Sequence, residues 1–169
     1  MNITRESVLT AVVAYLEERF GRLYRASQTA REEATDQDNR AESKYDTRSL
    51  EAGYLANGQA MQAEATADSL RDYRMFLSEV TEQGGAAAEK EEEADAGVIR
   101  SGSLVTLRLG ATKETFFIGL DSGGFDVEVD GITVTVLSLA SPLAEQLLGK
   151  KKGALTRQPP GQVVSVVNE

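Results

Sequence analysis

Cysteine and histidine are both absent from this chain, and its three prolines all lie beyond residue 141. Without cysteine there is no disulfide framework, no thiolate nucleophile and no cysteine-based zinc site. Without histidine the Ser-His-Asp and Cys-His forms of nucleophilic catalysis are excluded as well. Chemistry is left to carboxylates, Lys, Arg, Tyr or hydroxyls, with any metal held through oxygen. No basic stretch leads into an apolar core at the N-terminus, and no run of 18 apolar residues occurs. The expectation is a soluble, cytoplasmic protein with no membrane role. Positive charge is in deficit too. A formal net charge of −9 argues against direct binding to DNA or RNA backbones, which needs clustered Lys and Arg. A nucleic-acid role would have to run through a protein partner.

What the first half does contain is a helical pattern that no proline interrupts. Thr4 is placed to N-cap a helix, with Glu6 in its first turn. Leu9, Val13, Leu16, Phe20, Leu23, Ser27, Ala30 and Ala34 then recur at spacings of four and three, a heptad seam that predicts a coiled-coil arm over 5–35. Ala52, Ala56, Gln59, Ala63, Thr66, Leu70, Tyr73 and Leu77 repeat the spacing with the size order reversed. Folded antiparallel, small residues face small ones near the turn, while Leu70, Tyr73 and Leu77 face Leu9, Val13 and Leu16. The two halves are mutually consistent, and these residues are expected to be the hairpin's own core. Gly53 and Gly58 either weaken the return helix, by roughly 1 kcal/mol each relative to Ala, or permit close helix contact.

The stretch Asp36–Glu51 would then form the hairpin's tip, rich in Asp, Glu and Asn. Residues 83–97 carry a Gly-Gly pair and a Glu-rich run without an apolar face, an acidic linker. Beyond residue 97 the period changes to two. Leu104–Leu109, Glu114–Leu120, Phe125–Val129, Ile132–Leu139 and Val163–Val167 read as strands. Ser141 as N-cap, Pro142 at N1 and Gly149 as stop bracket one short helix. The expected fold class is α+β: an N-terminal antiparallel α-helical hairpin over 1–82, a linker over 83–97, and a small, mostly antiparallel β domain with one helix over 98–169.

Long hairpin, linker and small β domain, in that order, is similar to the layout of the bacterial Gre (GreA/GreB) transcript-cleavage factors. Ser141-Pro142-Leu143 through Leu147-Leu148-Gly149-Lys150 resembles the family's C-terminal signature. Ala30-Arg31-Glu32 resembles the run into the family's tip. Tyr45, Glu51, Gly53 and Tyr54 match the spacing of Tyr, Glu, Gly and a following aromatic. The resemblance implies an FKBP-like C-terminal domain that docks at the rim of the RNA polymerase secondary channel. It also implies a coiled coil that carries two tip carboxylates to the polymerase's magnesium site, where backtracked RNA is cut. Mg²⁺ favours carboxylate oxygen and water, and two-metal sites stabilise the attacking and leaving oxygens of a phosphodiester.

On that resemblance Asp38 and Glu42 are the candidate catalytic and metal-holding pair, with Asp36, Tyr45 and Asp46 as further tip residues. The Mg²⁺ is shared with polymerase and none is bound by the protein alone. The factor is expected to be a monomer without stand-alone activity, reaching RNA only through polymerase. One departure is plain. Counting back from Tyr45, Asp38 falls on the family's Asp, but Ala41 falls where the family has Glu, with Glu42 beside it. Two further readings stay open: a channel occupant of the same fold that does not cleave, and a coiled-coil interaction module unrelated to polymerase. From the residues alone, Asp36, Asp38, Glu42 and Asp46 also read as a solvated turn with a cap for the second helix.

Ser141, Pro142 and Phe117 are the candidate partner-binding residues. Phe116 and Phe117 should face opposite ways, one into the core and one towards a docking surface. Lys150, Lys151 and Lys152 sit where a helix C-terminus favours cations. Gly149-Lys150 is no P-loop, since no Gly stands five residues earlier and neither Ser nor Thr follows.

Overall fold

Thr4 and Ser7 open the first helix by capping each other. The Ser7 amide donates to Thr4 Oγ1 at 3.2 Å and the Thr4 amide to Ser7 Oγ at 3.1 Å, so two orphan donors of the first turn are satisfied reciprocally. The computed structural model describes residues 3–35, 48–83 and 97–168. Helix α1 spans Arg5–Thr35 and helix α2 spans Arg48–Gln83. Among the described residues no helix is long and apolar enough to cross a membrane. The chain divides into two compact units, Ala14–Arg71 on the one hand and Met1–Val13 with Asp72–Glu169 on the other. The bases of both helices therefore belong with the sheet.

In the first of these units the two helices pair through small side chains. Ser27, Ala30, Ala56, Ala63 and Thr66 are all buried, and Ser27 Oγ donates to the Ala56 carbonyl at 3.3 Å. No other residue of the two predicted seams is exposed. Gly53 and Gly58 do not serve close approach. A Cβ built on either meets nothing within 4 Å.

The second unit holds a six-stranded sheet in the order β3-β4-β2-β1-β6-β5. Its strands are β1 (Leu104–Leu109), β2 (Thr112–Ile118), β3 (Phe125–Val129), β4 (Ile132–Leu137), β5 (Leu155–Arg157) and β6 (Pro160–Val167), with helix α3 (Pro142–Leu147) between β4 and β5. All neighbours are antiparallel except β2 and β4, which run parallel. The β3–β4 turn is Asp130-Gly131 with φ of 52° and 76°, the paired left-handed conformation of a tight hairpin, which suits Asp-Gly. A bulge between Thr106 and Leu107 shifts the pairing of β1 with β6.

Pairing register sorts the strand residues onto two faces. Val105 lies opposite Phe116, Leu107 opposite Val163 and Ile118 beside Leu137; these pack with Ala144 and Leu147 of α3 and with Ile99. Leu104, Phe117, Val136 and Phe125 follow one another across the other face, and all four are buried. Both faces are therefore covered where β1 and β2 cross the sheet, while Asp126, Glu128 and Thr133 on β3 and β4 are exposed. In this unit the helix bases contribute fully buried Val8, Leu9, Val12 and Tyr73.

Phe117 thus needs correction as a docking residue. It is 0% exposed and Phe116 is 6% exposed, so both rings are core. Alternation along β2 does aim them at opposite faces, but neither face is open there, which is the pattern of a strand buried on both sides.

Candidate functional site

Thr35 and Arg48 end the two helices on either side of residues 36–47. Asp36, Asp38, Glu42, Tyr45 and Asp46 all lie in that stretch, outside the described residues. The helices beside it are fixed by the Ser27–Ala56 contact and by buried Ala30.

In the sheet unit Ser141 and Pro142 have a clear local task. Ser141 has φ −73° and ψ 141°, its Oγ accepts from the Ala144 amide at 3.2 Å, and Pro142 occupies the first helical position. At the other end Gly149 takes φ 73°, a left-handed conformation that favours glycine. The Gly149 amide donates to the Ile99 carbonyl at 2.9 Å, and the Ile99 amide donates to the Lys150 carbonyl at 2.8 Å. Gln146 ties the same helix to the segment before β6. Its Oε1 accepts from the Arg157 amide at 2.8 Å, while its Nε2 donates to the Gln158 carbonyl at 3.0 Å. The Leu147–Lys150 turn is thereby held from two sides, and Lys150, Lys151, Lys152, Leu155 and Arg157 are all exposed beside it.

Ser141→Ala removes the cap acceptor and is expected to cost about 1 kcal/mol. A lower melting temperature with unchanged partner binding would assign Ser141 to the fold. Weaker binding at full stability would assign it to docking.

The base of α2 is joined to the strand connections by the hydroxyl of a residue that periodicity marked only as seam. Tyr73 was legible as a seam residue, yet its hydroxyl donates to the Ser122 carbonyl at 2.7 Å and accepts from the Leu120 amide at 2.9 Å. Its pKa is pushed up to about 12, first by burial and also by nearby Asp121, against the lowering effect of the Leu120 amide. Close by, Arg5 lies 4.7 Å over the Phe76 ring and donates to the Asn168 carbonyl at 3.4 Å. Asn168 in turn accepts from Ser103 Oγ at 2.6 Å and donates to the Val98 carbonyl at 3.1 Å. A buried tyrosine hydroxyl bonded to main chain on both sides is a structural tie. Among the described residues no group of three or more Asp or Glu side chains is placed to hold a metal ion.

No family model matches the chain, and no curated protein matches it. Among solved structures, the chain is similar to the crystal structure of Thermus aquaticus Gfh1, with 25% identity over 97% of this chain and 96% of that one. The TM-score is 0.30, too low to carry an arrangement from one molecule to the other.

Proposed function

We propose that the protein is a Gre-like accessory factor of RNA polymerase, a monomer that brings the acidic segment 36–47 to the polymerase's magnesium site and promotes cleavage of backtracked RNA. The observation that carries this reading is the order of elements. Two long helices precede a mixed sheet, and α3 opens at Ser141-Pro142 and closes at Gly149-Lys150, where the residues resemble the family's signature. Asp38 and Glu42 are the carboxylates assigned to hold the Mg²⁺ that polymerase shares, and that ion would supply the charge stabilisation a phosphodiester displacement needs. The turn Leu147–Lys150, with the exposed cations beside it, is the part of the sheet unit assigned to docking. The chain's net charge of −9 fits a factor that meets RNA only inside its protein partner.

A second reading rests on a specific observation. Ala41 stands where the family's tip has Glu, which favours an occupant of the same channel that blocks without cutting.

The deciding experiment mixes the full chain with purified polymerase on stalled, backtracked templates and follows both binding and RNA length. Shortened RNA supports the first reading, and binding with slowed elongation but no shortening supports the second. A protein that neither binds polymerase nor alters transcription is not a polymerase factor, and a coiled-coil interaction module becomes the better description.

A further inference from the structure

Strand β3 (Phe125–Val129) ends the sheet on one side, with β4 on its inner edge and no strand on its outer edge. The Asp130-Gly131 turn makes Val129 and Ile132 the pair that closes the hairpin with main-chain bonds. Along an antiparallel ladder such pairs recur at every second residue, so Val127–Val134 and Phe125–Val136 follow. Asp126 and Glu128 then direct their N–H and C=O groups away from β4, towards the outer edge. Their side chains share one face and are exposed, and Thr135 Oγ1 donates to Asp126 Oδ1 at 2.6 Å. Asp130 adds a third exposed acid in the turn beyond. Among the described residues none of these three carboxylates is ion-paired. An open strand edge is satisfied by another strand, and the charge along it decides which strands are admitted.

We infer that the outer edge of β3 is a pairing site for an extended segment of another protein, running antiparallel, with Lys or Arg at the alternate positions that face Asp126 and Glu128. Main-chain bonds to those two residues supply affinity, and the cross-strand ion pairs supply register and selectivity. A second copy of β3 is refused by the same charges. Laid antiparallel, every pair joined by main-chain bonds sets carboxylate against carboxylate. Laid parallel, the carboxylates fall across from Val127 and Val129, which are already buried. The opposite edge of a second copy serves no better, since β5 is three residues long and Arg157 is its one cation. Nucleic acid is disfavoured because the carboxylates repel phosphate. The partner is defined by this chemistry, whichever protein supplies it.

The test uses the full chain, labelled with nitrogen-15 and titrated with a synthetic peptide of alternating Lys and Val. The same peptide methylated on alternate main-chain nitrogens keeps the charge but cannot pair, and a peptide of alternating Glu and Val reverses the charge. The Lys-Val peptide is expected to bind saturably, to shift the amide signals of β3, and to slow hydrogen exchange at Asp126 and Glu128 by about tenfold or more. The methylated and Glu-Val peptides should do neither. Asp126→Lys with Glu128→Lys is expected to exchange the preference, rejecting Lys-Val and accepting Glu-Val, while Glu79→Lys, at an exposed acid on α2, leaves binding unchanged. If the double variant does not fold, the methylated peptide on the unaltered protein carries the test. Equal binding of the methylated peptide, or signal shifts confined to other elements, reduces the effect to general attraction of charge and overturns the inference. A self-associated form of the unaltered protein that the double variant dissolves, seen by sedimentation, overturns it in favour of a second copy.

Discussion

Tyr73→Ala is expected to lower the unfolding free energy by about 4 kcal/mol, the cost of emptying a buried aromatic site. Tyr73→Phe keeps the ring and isolates the hydroxyl. It leaves the Leu120 amide and the Ser122 carbonyl without the partner they share, a loss of about 2 kcal/mol. The contact can be dissected further through Gly119. A Cβ there would run into the Tyr73 hydroxyl and lie 3.0 Å from the Leu137 carbonyl and 3.1 Å from Val136 Cγ1. Gly119→Ala should therefore cost less in the Tyr73→Phe background than alone, the signature of coupled sites in a double-mutant cycle.

Titration gives an independent check of the same hydroxyl. Its folded-state pKa of about 12 lies above the ordinary tyrosine value of 10.0, so the folded protein holds the proton more tightly than the unfolded chain. Stability from this group is complete below pH 10 and falls as pH rises towards 12, by up to about 1.4 kcal/mol per pH unit. Chemical denaturation at pH 9 and pH 11 should show that slope in the unaltered protein. Tyr73→Phe should lack this group's share of it, which separates Tyr73 from the other titrating side chains. A Phe variant as stable as the original, with the same pH slope, would remove the hydroxyl from the account of how the helix bases are held.

Much of this is legible in the amino-acid sequence. The four-three spacing located α1 to its terminal residues, because an uninterrupted heptad pattern with a cap at Thr4 leaves the backbone few alternatives. Ser141-Pro142 and Gly149 marked α3 for equally local reasons. What periodicity hid was the second use of residues already explained. Val8 and Val12 beside Leu9 and Leu16 broaden the apolar face at the base of α1 beyond a two-helix seam, and that width was a visible sign that the base packs on more than its partner helix. The unbroken apolar run Phe116–Phe117–Ile118 likewise signalled burial on both faces, against the alternation expected of a half-exposed strand. Strand β5 gave no such sign. Its Leu-Thr-Arg triplet is only three residues long at a sheet edge, and Leu155 is 75% exposed. The parallel pairing of β2 with β4 is a long-range choice that local pattern does not encode. The candidate tip, read from composition and resemblance, lies in the stretch that the described residues do not include.

On the polymerase reading, the acidic segment 36–47 is where function should be most sensitive. Asp38→Ala with Glu42→Ala is expected to reduce RNA cleavage in backtracked complexes by on the order of a hundredfold or more while leaving polymerase affinity unchanged, because the loss falls on charge stabilisation at the reacting phosphate. The pair is separated from simple channel blocking by the same variant, since a blocker keeps its inhibition when those carboxylates are gone. Ala41→Glu is the complementary change, placing a carboxylate at the position where the family's Glu falls. If the unaltered factor binds without cutting and Ala41→Glu cuts, the register of the carboxylates in segment 36–47 decides between the two outputs. If the unaltered factor cuts and loses that ability with Glu42→Ala alone, then Glu42 serves from one position further along. A Mg²⁺ titration of the cleavage rate distinguishes weakened metal holding, which higher Mg²⁺ restores, from misplaced carboxylates, which it does not. The carboxylates would act on the metal by geometry as much as by charge, since Mg²⁺ accepts few departures from octahedral oxygen ligation.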